Sequence, residues 1–216
     1  SQAGCALQCT FCATGAQGFE TNLTSDEIIG QLWLANFYQE DEPPITNVVF
    51  MGMGEPLLNF ENVIESAKIM KEQHAYGLSR KRITISTSGI TPLIDKLCNE
   101  IDVSLAISLH APTNELRDEI VPINKKYPIS TLINSCNNYL KNYHNKRSIT
   151  IEYILIDGIN DSEELARKLA KLLSNLSCKI NLIPFNPFEG SSYKRSKIKT
   201  IENFKKILMD KGFITT

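Results

Sequence analysis

Three cysteines lie close together in the run Cys5-Ala6-Leu7-Gln8-Cys9-Thr10-Phe11-Cys12. Thiolates spaced CxxxCxxC can all reach one iron–sulfur cubane, for which four cysteines are the usual complement. This run supplies only three and leaves one iron without a protein ligand. An open coordination position is what separates a catalytic metal from a structural one. A sulfonium cofactor could chelate the free iron through its amino and carboxylate groups, and one electron from the cluster would then break its carbon–sulfur bond. Zinc is the plainer alternative. It usually takes four ligands in pairs such as CxxC…CxxC, and the nearest histidine, His74, lies far along the chain. An electron-carrying ferredoxin would need a fourth cysteine and gives no reason for a large α/β chain.

Further candidates follow short apolar runs. Glu55, in Gly52-Met53-Gly54-Glu55-Pro56, is a carboxylate able to accept a hydrogen bond from a ligand ammonium, and Gly54 permits close backbone approach. On its own this loop reads as a simple turn. Ser86 could hydrogen-bond a ribose hydroxyl, although a lone serine there is more often a cap or turn residue. Ser108, Leu109 and His110 form a similar trio, in which the histidine could equally be a structural hydrogen-bonder. Asn186, after Pro184, carries an amide suited to adenine or sugar edges. Cys98, Cys136 and Cys178 share no spacing and read as small core residues.

Short apolar runs alternate with amphipathic ones, the pattern of βα units around a parallel sheet. Residues 47–51, 82–86, 103–109, 148–154 and 179–183 read as strands, and 213–216 starts one more. Helices are predicted over 24–36, 59–74, 92–100, 128–143, 162–176 and 201–211. Thr24 or Ser25 is the N-cap candidate of the first, with acids following in its first turn. About six parallel strands joined by right-handed crossovers make a partial (β/α) barrel, whose reactive residues sit past the C-terminal strand ends. The candidate loops all fall there. No linker or internal break divides the chain, so residues 1–216 read as one domain.

Composition is that of an ordinary globular protein, with 42% hydrophobic and 22% charged residues among 216. No apolar stretch is long enough for a membrane span, and no secretion signal is visible. The net charge of −1, from 23 basic and 24 acidic residues, does not by itself suggest a nucleic-acid partner. Two basic clusters could still meet phosphates: Arg80-Lys81-Arg82 and Lys194-Arg195-Ser196-Lys197-Ile198-Lys199. The second follows a strand-end loop and is the better candidate. Asn22, Asn160 and Asn175 begin glycosylation-type triplets, which are discounted because a reduced cluster belongs in the cytoplasm.

CxxxCxxC with an aromatic residue, Phe11, before the last cysteine resembles the radical-SAM superfamily. The wider string SQAGCALQCTFCATG, from Ser1 to Gly15, looks like one branch of it, the RNA adenine methyltransferases that modify carbon 2 of an adenosine. Supporting strings are Gly52-Met-Gly-Glu-Pro-Leu-Leu-Asn59, Ser86-Thr-Ser-Gly89, Ser108-Leu-His-Ala-Pro112, Arg117-Asp-Glu-Ile-Val-Pro-Ile-Asn-Lys-Lys126 and Cys178-Lys-Ile-Asn-Leu-Ile-Pro184. The resemblance implies a [4Fe–4S] cluster on Cys5, Cys9 and Cys12. It also implies S-adenosylmethionine (SAM) bound by Gly54, Glu55, Ser86, Ser108, Leu109, His110 and Asn186. Substrates would be 23S rRNA and tRNA, the electron donor a flavodoxin or ferredoxin, and the protein a cytoplasmic monomer without membrane contact.

In the mechanism that the resemblance implies, a cysteine near the C-terminus carries a methyl group, and a radical made from SAM takes a hydrogen from it. The resulting carbon radical adds to adenine. A second cysteine just before the cluster motif then forms a disulfide with the first, and an upstream glutamate handles a proton. None of these three residues can be matched within 1–216. The chain is therefore expected to be a catalytic core, without the family's N-terminal RNA-binding domain and its methyl-carrier segment. Alone, it should bind cluster and SAM but not complete methyl transfer. The competing expectations are methylation of adenine carbon 8, as in the antibiotic-resistance enzymes, a non-catalytic metal-binding protein, and an activase that makes a glycyl radical on a protein partner.

Overall fold

A computed structural model describes residues 1–38, 43–143 and 148–216. In chain order it forms β1 (Gln2–Gly4), α1 (Ala13–Gln17), β2 (Phe19–Asn22), α2 (Ser25–Phe37) and β3 (Val48–Phe50). Then come α3 (Phe60–Lys71), β4 (Ile83–Thr87), α4 (Thr91–Glu100), β5 (Ser104–Ser108), α5 (Asn114–Ile120) and α6 (Ile129–Lys141). The chain closes with β6 (Ile149–Leu155), α7 (Glu163–Leu172), β7 (Cys178–Pro184) and α8 (Ile198–Asp210).

Strands β3 to β7 form one parallel sheet in sequential order, so each crossover carries the chain to the neighbouring position. β-Branched residues hold its centre. Ile85 pairs with Leu105, Ile107 with Ile151, and Ile151 with Ile180, all buried. The helices bury one apolar stripe each against this sheet, as Ile94 and Leu97 of α4 and Leu132 and Cys136 of α6 do. Burying each large aliphatic side chain contributes roughly 1.5–3 kcal/mol. The sheet is open, and the expected sixth strand is begun rather than completed. Thr215 makes an isolated parallel bridge to Ile180, with Ile180 N donating to Ile214 O at 2.9 Å and Thr216 N donating to Ile180 O at 3.0 Å.

Helix starts follow local chemistry. Thr24 caps α2 in a reciprocal box, its hydroxyl accepting from Glu27 N at 3.3 Å while Glu27 Oε2 accepts from Thr24 N at 2.8 Å. Ser162 caps α7, whose surface carries the i,i+4 pairs Arg167–Glu163 and Lys168–Glu164. The helix expected over 59–74 is shorter. A 3₁₀ turn, Pro56–Asn59, precedes α3, which ends at Lys71, and the chain turns back with Gly77 N donating to Glu72 O.

Four elements were not anticipated: β1 and β2, which form an antiparallel hairpin, the short α1, and α5. The hairpin brackets the cysteine run. Gly4 and Gly18 approach so closely that a Cβ on Gly4 would lie 1.9 Å from Gly18 O. Among the described residues no helix is long and apolar enough to cross a membrane.

Candidate functional site

A cavity of about 230 Å³ opens where the C-terminal ends of the five parallel strands converge. Cys5, Cys9 and Cys12 border it on one side, and Gly54, Glu55, Ser86, Ser108 and His110 on the others. The structure thus brings most of the sequence-predicted site residues to one place. Leu109 and Asn186 are not among those that line it. Leu109 is packed into the core with its N–H and carbonyl both bonded within the protein, and Asn186 stands exposed beyond Phe185.

The cysteine loop is shaped by backbone bonds. Cys5 N donates to Gly18 O at 2.8 Å, Cys12 N to Cys9 O at 3.0 Å, and Thr10 N to Ile120 O at 3.2 Å. Gly15 leaves room for the loop, since a Cβ there would lie 3.1 Å from Cys9 O. Burial pushes the Cys9 thiol up to about 12, the charges of Cys12 and Cys5 add to this, and the Arg117 guanidinium pulls the other way. Cys5 is raised too, chiefly by burial. Three sulfurs near enough to oppose each other's ionisation are relieved by a common cationic centre. Among the described residues no three His, Cys, Asp or Glu side chains group around a single metal ion. A polynuclear cluster, in which each thiolate takes a different iron, suits this donor set better than zinc.

Glu55 is fully enclosed. Its Oε2 accepts from Ser88 N at 2.7 Å and its Oε1 from Leu57 N at 3.1 Å, capping the 3₁₀ turn. Burial raises its pKa, and among the described residues it forms no ion pair. A buried carboxylate facing a cavity without a cation suits a ligand ammonium. Gln2 fixes the loop: its Oε1 accepts from Glu55 N at 2.8 Å, and its Nε2 donates to Asn22 Oδ1 at 2.7 Å. Gly54 is required here, because its φ is +86° and a Cβ would lie 2.5 Å from Gln2 Cβ.

On the far wall, the Ser86 and Ser108 hydroxyls lie 3.4 Å apart. His110 has φ 61°, in the left-handed region. It is held there by three bonds: Ile154 N donates to its Nδ1 at 3.1 Å, Asn160 Nδ2 donates to its carbonyl at 2.9 Å, and its own N donates to Glu152 O at 3.4 Å. Burial lowers its pKa to about 3, so the ring is neutral and carries its proton on Nε2. Phe11 meets it edge-on with ring centroids 4.8 Å apart, joining the cysteine loop to the end of β5. Asn160 is wholly buried with its amide occupied, which agrees with discounting it as a glycosylation site.

Several residues of the site escaped the sequence reading. Glu152 lines the cavity from β6, its Oε1 accepting from Asn181 Nδ2 at 3.3 Å, and burial raises its pKa. A lone acid inside the apolar run 149–155 was the signal available for it. Gln2, Asn160 and Arg117 stand within strings noted above, but their hydrogen bonds to Glu55, His110 and Ser88 span 29 to 53 residues and were not foreseen. Of the two basic clusters, Arg80–Arg82 forms a 3₁₀ turn at the start of β4, away from the cavity, with Arg80 near Asp102 at 3.9 Å. The second lies beside the cysteine loop. Lys194, Arg195, Lys197 and Lys199 are exposed, and the preceding Tyr193 hydroxyl lies 2.9 Å from Thr10 Oγ1.

Known proteins share both this sequence and this architecture. The chain is 53% identical over its whole length to the dual-specificity RNA methyltransferase RlmN of Marinobacter nauticus, and 56% identical to that of a Marinomonas species. It spans 60% of the length of each. A crystal structure of a radical SAM methyltransferase from Sphaerobacter thermophilus superposes with a TM-score of 0.95 at 43% identity, over all of this chain and 63% of that one. The family model described as the radical SAM superfamily matches residues 1–170, which include the three cysteines and every cavity-lining residue up to Ile154. By its sequence and its fold alike, the chain belongs to the radical SAM superfamily.

Proposed function

We propose that these residues form the catalytic core of an RNA methyltransferase that adds a methyl group to carbon 2 of an adenosine in 23S rRNA and tRNA. The observation that carries this reading is the 53–56% identity along the whole chain to proteins named as dual-specificity RNA methyltransferases. The cavity's side chains suit a cluster and SAM. Cys5, Cys9 and Cys12 would hold a [4Fe–4S] cluster, which supplies one-electron reduction of a sulfonium when bound.

The chain's own groups do the positioning. Glu55 receives the ammonium of SAM, Ser86 and Ser108 offer hydroxyls to its sugar, and the neutral His110 presents one N–H donor without adding charge. The apolar lining from Leu7, Phe50, Ile154 and Ile183 keeps water from the reacting centre. Lys194, Arg195, Lys197 and Lys199 form a basic rim for RNA phosphates, anchored to the cysteine loop through Tyr193 and Thr10. A flavodoxin or ferredoxin would deliver the electron to a cytoplasmic, monomeric enzyme.

The test uses a full-length protein carrying these residues, reconstituted anaerobically and given SAM, reductant and transcripts of 23S rRNA and tRNA. Nucleoside digests analysed by mass spectrometry should contain 2-methyladenosine, absent when Cys9 is changed to Ala. An 8-methyladenosine product would move the reaction to the other ring carbon. SAM cleavage with neither RNA modified would refute the RNA reading.

A further inference from the structure

Arg117, on α5, is buried completely, and all four of its hydrogen bonds go to neutral acceptors. Nε donates to Leu109 O at 3.0 Å, Nη1 to Asn124 Oδ1 at 2.9 Å, and Nη2 to Ser88 O at 2.6 Å and Ser108 O at 3.1 Å. Among the described residues it forms no direct ion pair. Asp118 lies one step removed, accepting at 2.6 Å from the Nδ2 of Asn124. A buried cation without a paired carboxylate is expensive, because desolvation alone costs several kcal/mol.

Two features show where the charge is directed. Its acceptors Ser88 and Ser108 line the cavity, so the guanidinium lies directly behind that wall. Its helix also touches the cysteine loop: Thr10 N donates to Ile120 O at 3.2 Å, and Cys9 packs against the apolar cluster formed by Ile120 and Val121. Three thiolates on a cubane make an anionic centre, and reduction adds one more negative charge. In a low-dielectric interior a fixed positive charge nearby stabilises the reduced state more than the oxidised one.

We propose that Arg117 is the internal counter-charge of the iron–sulfur cluster, a positioning residue that ties the ends of β4 and β5 together and raises the cluster's tendency to accept an electron. The inference rests on the cluster sitting on Cys5, Cys9 and Cys12, and is independent of which RNA is methylated.

The experiment is a redox titration of the anaerobically reconstituted protein, following the reduced cluster by electron paramagnetic resonance, with iron content measured on each variant. At a fixed solution potential, Arg117→Met should lower the ratio of reduced to oxidised cluster about tenfold, equivalent to ~59 mV for a one-electron couple. Arg117→Lys keeps the charge but not the fork of hydrogen bonds, and should recover most of that ratio. Asp118→Asn keeps an acceptor for Asn124, removes the nearby carboxylate, and should shift the ratio upward. If the Met variant holds no iron, the Lys and Asn variants against the parent decide the matter. Equal ratios throughout, or a Lys variant as impaired as the Met variant, would overturn the inference. An iron-free parent would sink the cluster assignment itself, and this inference with it.

Discussion

Burial fixes the charge state of His110, and that has a measurable consequence for stability. Its pKa falls from 6.5 to about 3 on folding, so the native protein holds the ring neutral while the unfolded chain takes up a proton below pH 6.5. The stabilisation is therefore complete above pH 6.5 and is lost as the pH falls toward 3, by on the order of 1 kcal/mol per pH unit across that window. His110→Asn should flatten this part of the profile. Asparagine tolerates the left-handed backbone, and its Oδ1 can accept from Ile154 N as Nδ1 does. Thermal unfolding of both proteins between pH 7 and about pH 4 checks this, and parallel curves would contradict it. The strand pattern places Glu55, Ser86, Ser108 and His110 at strand ends, where an α/β sheet delivers side chains to a ligand. Each alone reads as a turn, cap or structural residue, and only the family resemblance ties them to SAM. The bonding roles of Arg117 and Gln2 were not legible. Their partners lie up to 29 and 53 residues away, and a single sequence does not reveal such pairs.

At the scale of elements, the hairpin of β1 and β2 decides whether the cysteine loop has a shape at all. It joins the two ends of the loop through Cys5 N to Gly18 O and through the pairing of Gln2 with Asn22. Gly4 has φ +74° and no space for a side chain against Gly18. Gly4→Ala should destabilise the chain by at least about 1 kcal/mol from the backbone conformation alone, with the clash adding to that. Iron retention after reconstitution should fall with it, and an unchanged melting temperature and iron content would show the hairpin to be dispensable. The βα alternation was legible because buried parallel strands and amphipathic helices have different periods. The hairpin was not, since β1 has three residues and β2 four, and every side chain of β2 is exposed. α5 was hidden for another reason. Its seven residues, NELRDEI, are mostly charged, and beside the Thr113 cap and the buried Arg117 only Leu116 and Ile120 pack inward, too few to show as an apolar period.

For the whole molecule, sequential strand order places every C-terminal strand end around one opening, and the cysteine loop closes that opening from the side. The cavity is thus a product of topology as much as of any motif. Each wall comes from a different βα unit, and Phe11, Arg117 and Gln2 join these walls to one another or to the loop. The central claim is that this opening holds a redox cluster and cleaves SAM. Its most direct test is anaerobic reconstitution with iron and sulfide, followed by dithionite reduction with SAM and chromatography for 5′-deoxyadenosine. The account predicts about four irons per chain, as a [4Fe–4S] centre requires, together with 5′-deoxyadenosine, both lost in Cys9→Ala. Zinc in place of iron, or iron and SAM cleavage that survive in Cys9→Ala, would contradict it.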